Sequence, residues 1–206
     1  METTFLFDGP ESAPLTLILA HGAGAPMDSP FLTRFAAGIA AHGFRVARFE
    51  FPYMRARRDG GRRGAPDREP VLREAWHEAI ARSGGGARAA VGGKSLGGRI
   101  ASLVADAENV RGLVCLGYPF HPPGQRERLR VAHLADLATP ALIVQGTRDP
   151  FGTREDVAAY ALSPKIAVHW IEGGDHSWKP KASSGRTEAE TLEAGIGAVA
   201  AFLKTL

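Results

Sequence analysis

Apolar residues in this chain fall into short runs that alternate with stretches of helical period. The runs Thr4–Phe7, Leu15–His21, Phe44–Phe51, Ala87–Gly92, Gly112–Gly117, Ala141–Gly146 and Ala167–Glu172 are strand-sized. Between them, near Pro30–His42, Pro70–Ser83, Leu96–Ala105 and Glu155–Leu162, the pattern turns helical, and a last helical stretch covers about Thr187–Leu206. Strands that are apolar without strict alternation are buried on both faces, and strands separated by helices pair in parallel. The pattern therefore predicts an α/β fold of three layers: a mostly parallel central sheet with helices on both faces. The first one or two strands are candidates for antiparallel pairing at an edge. No repeat or low-complexity linker divides the 206 residues, which read as one domain, 1–206.

Composition narrows the class. Hydrophobic residues make up 44% and charged residues 23%, the balance of a globular chain rather than a disordered one. No apolar run approaches the length of a membrane span. The first ten residues lack the basic n-region of a signal peptide. Cys115 is the single cysteine, which rules out an internal disulfide framework and suits a reducing cytoplasm; within the run Gly112–Gly117 it reads as a buried, inert thiol. Net charge is only +3, yet Arg45, Arg48, Arg55, Arg57, Arg58, Arg62, Arg63 and Arg68 crowd one short stretch. A solvated loop between strand and helix is the plain reading of that cluster. A cationic rim for an anionic substrate or an acidic partner is the functional one. Nucleic acid is a weaker partner, because few aromatics interleave with the arginines.

The chemistry concentrates where one apolar run gives way to a helical pattern. Gly93-Lys94-Ser95-Leu96-Gly97 fits the G-x-S-x-G nucleophile elbow, in which a serine at the tip of a tight strand-to-helix turn projects its hydroxyl out of the sheet. Gly93-Lys94-Ser95 could also end a phosphate-binding P-loop, but that motif needs a glycine where Arg88 stands, and Ala89–Val91 read as strand. An incidental serine in a glycine turn is the remaining alternative.

In open α/β sheets ligands bind beyond the carboxyl ends of the strands, so the residues after each strand decide between these readings. After Leu15–Ala20 come His21-Gly22-Ala23-Gly24, small residues whose N–H groups can turn toward an oxyanion, with His21 fixing the loop. The oxyanion donors expected are the N–H groups of Ala23 and Leu96. After Gly112–Gly117 come Tyr118 to Gly124, where Tyr118 reads as pocket wall and His121 as a less favoured base. After Ala141–Gly146 comes Asp149, able to orient a histidine through Nδ1–H or to cap the next helix. After Ala167–Glu172 the glycines 173 and 174 allow a loop that returns His176 to Ser95, with Asp175 as an alternative acid. Gly22, Tyr118, His121, Arg57 and Arg58 complete the expected substrate-binding set. The order Ser95, Asp149, His176 is that of α/β-hydrolases.

On His21-Gly22-Ala23-Gly24, Phe51-Pro52-Tyr53-Met54, Gly93-Lys94-Ser95-Leu96-Gly97-Gly98, Gly146-Thr147-Arg148-Asp149 and Gly174-Asp175-His176, the chain resembles the α/β-hydrolase superfamily over nearly its full length. The closest likeness is to its small, capless dienelactone-hydrolase-like branch, which includes the testis-expressed/KANSL-type hydrolase-like proteins. True dienelactone hydrolases place a cysteine where this chain has Ser95. About twenty residues separate Gly117 from Ala141, too few for a cap domain. The expected activity is hydrolysis of a small or accessible ester through an acyl-enzyme, a reaction that needs no metal or organic cofactor. Some hydrolase-like relatives act in protein complexes, so the alternative expectation is a non-catalytic interaction module that uses the arginine-rich loop 55–68.

Overall fold

The strands form where the burial pattern demands them. In a computed structural model, which describes residues 3–61 and 64–206, they are β1 (Phe5–Asp8), β2 (Thr16–Ala20), β3 (Arg45–Phe49), β4 (Ala89–Lys94), β5 (Gly112–Leu116), β6 (Ala141–Gly146) and β7 (Ile166–Ile171). They make one seven-stranded sheet in the order β1-β3-β2-β4-β5-β6-β7. Only β1 runs antiparallel, at the edge against β3; β2 is parallel to both of its neighbours.

The helices are α1 (Pro30–Ala41), α2 (Pro52–Arg58), α3 (Glu69–Arg82), α4 (Leu96–Val104), α5 (Arg154–Ala158) and α6 (Glu188–Leu203). Successive residues of a strand face opposite sides of a sheet, and β2 shows the result. Leu17 and Leu19 join a cluster with Leu32 and Phe35 of α1 and Leu192 and Ile196 of α6. Ile18 and Ala20 join the opposite cluster with Trp76 of α3 and Ile100 of α4. Continuous apolar runs such as Leu-Val-Cys-Leu in β5 follow from this double burial.

Two elements depart from the sequence expectation. The arginine-rich stretch is not all loop: Pro52, with its fixed φ and no N–H to leave unpaired, starts the helix α2 through Arg58. The helix expected over 155–162 ends at Ala158. A Thr153–Asp156 capping box starts it, but the Ala159 and Tyr160 N–H groups bond three residues back and Ser163 is drawn to Leu134 and Leu137.

The sheet also sets where a ligand can sit. The chain builds outward from β2 to β3 on one side and from β4 to β7 on the other, so the strand order reverses between β2 and β4. The crevice beyond their carboxyl ends is the topological switch point, and the loops there are His21–Gly24 and the Ser95 turn. The strands approach closely at this point. A Cβ on Gly93 would lie 2.1 Å from the Ala20 carbonyl oxygen, and one on Gly97 2.4 Å from the same atom. Backbone of a central strand cannot yield, so Gly93→Ala is expected to lower unfolding free energy by about 3 kcal/mol. Urea denaturation measures it; a loss under about 1 kcal/mol would mean that the two strands can part at no great cost.

Candidate active site

Ser95 stands between β4 and α4 with φ 51° and ψ −111°, a left-handed conformation that a side chain rarely adopts. Its N–H is held by the Leu116 carbonyl of β5 at 3.1 Å, so neighbouring strand and turn together impose the strain. The Ser95 Oγ lies 2.8 Å from His176 Nε2, and His176 Nδ1 lies 2.7 Å from Asp149 Oδ2. Asp149 is wholly buried, whereas a fifth of the His176 side chain reaches solvent. A carboxylate can only accept, so His176 donates from Nδ1 and its Nε2 lone pair accepts the Ser95 hydroxyl proton. Burial lowers the His176 pKa from 6.5 despite the opposing hydrogen bond to Asp149.

Asp149 is held from three directions. Its Oδ2 accepts from His176 and from Gln145 Nε2 at 2.9 Å, and its Oδ1 accepts from the Phe151 N–H at 2.9 Å. Gln145 is buried in β6, and its Oε1 accepts the Tyr118 N–H at 2.7 Å. This glutamine escaped the reading of the sequence. Its signal is a lone amide in the otherwise apolar strand Ala-Leu-Ile-Val-Gln-Gly, four residues before the acid. Asp175 is not the partner of Nδ1; it accepts the N–H groups of Ser177 and Lys179 within its own loop.

The first loop is braced from behind. His21 Nε2 accepts the Phe51 N–H at 3.1 Å, which leaves Nδ1 as the protonated nitrogen, donating to the Gly22 carbonyl at 2.7 Å. Tyr53 donates its hydroxyl to the Ala23 carbonyl at 3.1 Å, with the Gly22 carbonyl at 3.4 Å. Because a trans peptide sets N–H opposite C=O, holding the Gly22 carbonyl toward His21 directs the Ala23 N–H away from it. Leu96 is the first residue of α4, so its N–H has no intrahelical acceptor. His21 thus fixes the loop, as its position suggested, and Tyr53 is an added brace.

Gly22, Ala23, Ser95 and His176 line a cleft of about 390 Å³, whose remaining wall is largely apolar, with Phe31 and Phe151 prominent. Phe151 packs on the His176 ring at 4.3 Å between centroids. A second cleft, about 540 Å³, adjoins at Gly24 and is lined by Asp28, Arg57 and Arg58. It carries no nucleophile.

Four of the expected site residues need correction. Tyr118 is fully buried, donates to the Arg130 carbonyl at 2.9 Å and packs on Phe120, so it is core rather than pocket wall. His121 is also buried, with Nδ1 on the Pro122 carbonyl and Nε2 facing Asp156 at 3.6 Å, away from the cleft. Gln145 holds the Tyr118 backbone at both its N–H and its carbonyl, and the His121 N–H bonds the Phe151 carbonyl at 3.3 Å. Arg58 is bound by Glu50 at 2.8 Å and Asp28 at 2.9 Å, and its charge is balanced there. Arg57 donates to the Gly64 carbonyl and lies over the Tyr53 ring, beside the second cleft rather than at Ser95. Arg62 and Arg63, counted in the cationic rim, lie outside the described residues.

Another serine–histidine contact exists, Ser102 Oγ to His133 Nε2 at 2.8 Å. Ser102 is buried within α4, its hydroxyl also reaches the Arg99 carbonyl at 2.7 Å, and Tyr118 is the next neighbour of His133 at 3.5 Å. No carboxylate bonds that imidazole among the described residues, and the serine lacks both the strained turn and the cleft. The pair is helix packing. Among the described residues there is no cluster of three or more His, Cys, Asp or Glu placed to hold a metal, and no helix is long and apolar enough to cross a membrane.

Comparison with known proteins agrees with this architecture. An alpha/beta serine hydrolase homologue from Coxiella burnetii superposes with a TM-score of 0.71 at 22% identity, over 96% of this chain and 91% of that one. A serine hydrolase without lid from Xanthomonas campestris gives 0.70 at 18% identity, over 98% and 95%. Dienelactone hydrolase from Anabaena variabilis gives 0.76 at 18% identity, over 98% and 91%. At these identities the likeness speaks to the fold, a capless one. The profile of the family described as "Alpha/beta hydrolase domain" matches residues 13–204. A match of that extent, on a sheet whose switch point carries a strained serine, means that the chain belongs to the alpha/beta hydrolase family.

Proposed function

We propose that the protein is a serine esterase that hydrolyses small, accessible esters by way of an acyl-enzyme. The observation that carries this reading is the continuous chain of hydrogen bonds from Ser95 through His176 to Asp149, opening on the cleft of about 390 Å³. Ser95 Oγ attacks the acyl carbonyl carbon as His176 Nε2 takes its proton. The carbonyl π pair moves to oxygen, where the Ala23 and Leu96 N–H groups supply hydrogen bonds worth about 3–4 kcal/mol each to the transition state. Asp149 holds the tautomer and stabilises the imidazolium. Collapse of the tetrahedral intermediate breaks the bond to the alkoxide, which receives the proton from His176. Water then attacks the acyl-enzyme, again losing a proton to His176, and the acid leaves as the Ser95 hydroxyl is restored.

The wall of Phe31, Phe151, Pro30 and Leu32 favours a compact apolar group on the ester. The test is a panel of p-nitrophenyl esters, thioesters and lactones assayed across pH. The base must be neutral to act, and burial lowers its pKa. Hence kcat/KM should rise with pH through a midpoint below 6.5 and then level off. A panel with no turnover above the buffer blank at any pH would overturn the esterase reading.

A further inference from the structure

Lys94, the elbow residue that precedes Ser95, is unexplained by the mechanism above. Its side chain runs from beside Gly22, where a Cβ would lie 3.6 Å from Lys94 Cγ, to the underside of the histidine loop. There Nζ donates to the His176 carbonyl at 2.6 Å, a tie across 82 residues of sequence. Gly117 leaves the room for it. A Cβ at that position would lie 2.8 Å from the His176 carbonyl oxygen, 3.1 Å from Lys94 Nζ and 3.3 Å from His176 Nδ1. The ammonium and the imidazole therefore crowd the same small volume at the end of β5.

Resting on the reading of Ser95 as nucleophile and His176 as base, we infer that Lys94 is a positioning residue: its ammonium pins the His176 main chain over the elbow and disfavours a second positive charge on the imidazole. The groups that act on this centre are few. Asp149 from the loop after β6 and Asp175 from the histidine loop attract both cations, and Lys94 from β4 opposes protonation of His176. Phe31 and Phe151 supply uncharged walls, with Lys94 Nζ 5.9 Å from the Phe31 ring centroid. Burial lowers the Lys94 pKa to about 8, partly offset by the two carboxylates. Lys94 and the burial of His176 therefore act in the same direction, toward the neutral imidazole that a general base requires. Lys94 is only part-buried and lines the cleft beside Ser95 and His176.

The test separates this role from simple packing. The imidazole of His176 is titrated by NMR in the full-length protein, in Lys94→Met, which retains the aliphatic stem, and in Lys94→Gln, which retains a donor without the charge. Both variants should move the His176 midpoint upward by on the order of one pH unit, the effect of losing a nearby, partly desolvated charge. The acid limb of kcat/KM should move with it. Lys94→Met should also lower kcat by about 10-fold, as misplacement of a catalytic group does, and Lys94→Gln should recover part of that loss. An unchanged His176 midpoint in whichever variant folds overturns the inference. The titration needs no turnover, so it can fail while Ser95 still reacts, and it can succeed on a chain that hydrolyses none of the esters tested.

Discussion

Ser95→Ala should abolish covalent labelling by a fluorophosphonate and lower ester turnover by at least about 10⁴-fold, the scale of losing a triad nucleophile. The expectation rests on the proposed roles and on how few atoms change. Alanine retains the backbone of the strained turn, the Ser95 N–H bond to Leu116 and the first turn of α4, all of which belong to the main chain. The cleft and the loop 21–24 should therefore persist, and thermal unfolding should show nearly the wild-type midpoint. What disappears is the attacking oxygen and, with its proton, the donor of the His176 contact at 2.8 Å. Intact-mass spectrometry after probe treatment reads the first outcome, and p-nitrophenyl ester hydrolysis the second. Ser102→Ala is the companion variant: it should label and turn over like the wild type, because Ser102 sits within α4 away from the cleft. Equal turnover by Ser95→Ala, or loss of labelling only in Ser102→Ala, would move the chemistry elsewhere.

Asp149→Asn should lower kcat by about 10⁴-fold, the loss known when a triad acid becomes its amide, while leaving KM little changed. In this protein the hydrogen bonds show why. Asp149 accepts from three donors: His176 and Gln145 on Oδ2, and the Phe151 N–H on Oδ1. An asparagine offers one oxygen. If that oxygen serves Phe151, its NH₂ faces His176 and the Gln145 amide, and the imidazole must present Nδ1 as an acceptor. The proton then resides on Nε2, pointing at Ser95, and the base is lost. If the asparagine is flipped, the NH₂ confronts the Phe151 N–H, a donor against a donor in a fully buried place. That unmet donor costs about 1–3 kcal/mol of stability. A drop in kcat with a modest fall in melting temperature fits; unchanged kcat would remove Asp149 from the mechanism.

Much of this architecture was legible because it follows from local rules. Double-sided burial makes β5 a continuous apolar run, and β4 and β6 nearly so but for Lys94 and Gln145. The two glycines flanking the elbow announce a close approach, and their neighbour is the Ala20 carbonyl. His176 follows a glycine pair after the last strand, a place from which a loop can return. Misreadings arose where one side chain had two places to go. Tyr118 and His121 follow a strand end just as a pocket residue would, but both lie in the core: the buried Gln145 holds the Tyr118 backbone, and Pro122 and Asp156 hold His121. Arg58 looked available in a run of arginines; Glu50 within that stretch and Asp28, 30 residues before it, hold it. Gln145 and Lys94 sit within recognised segments, and their partners could not be read from spacing.

The sequence by itself determined the alternation of strands and helices, the glycine turn that carries Ser95 and the chain order of serine, acid and histidine. These depend on period, turn sterics and hydrophobic burial, which act over a few residues at a time. Tertiary structure alone decided which polar atoms meet: the Ser95–His176 contact spans 81 residues and the Lys94–His176 contact 82. A hydrogen bond depends on tenths of an ångström and on the angle at which donor and acceptor meet. Those quantities exist only once the sheet has brought β4, β5 and β6 side by side.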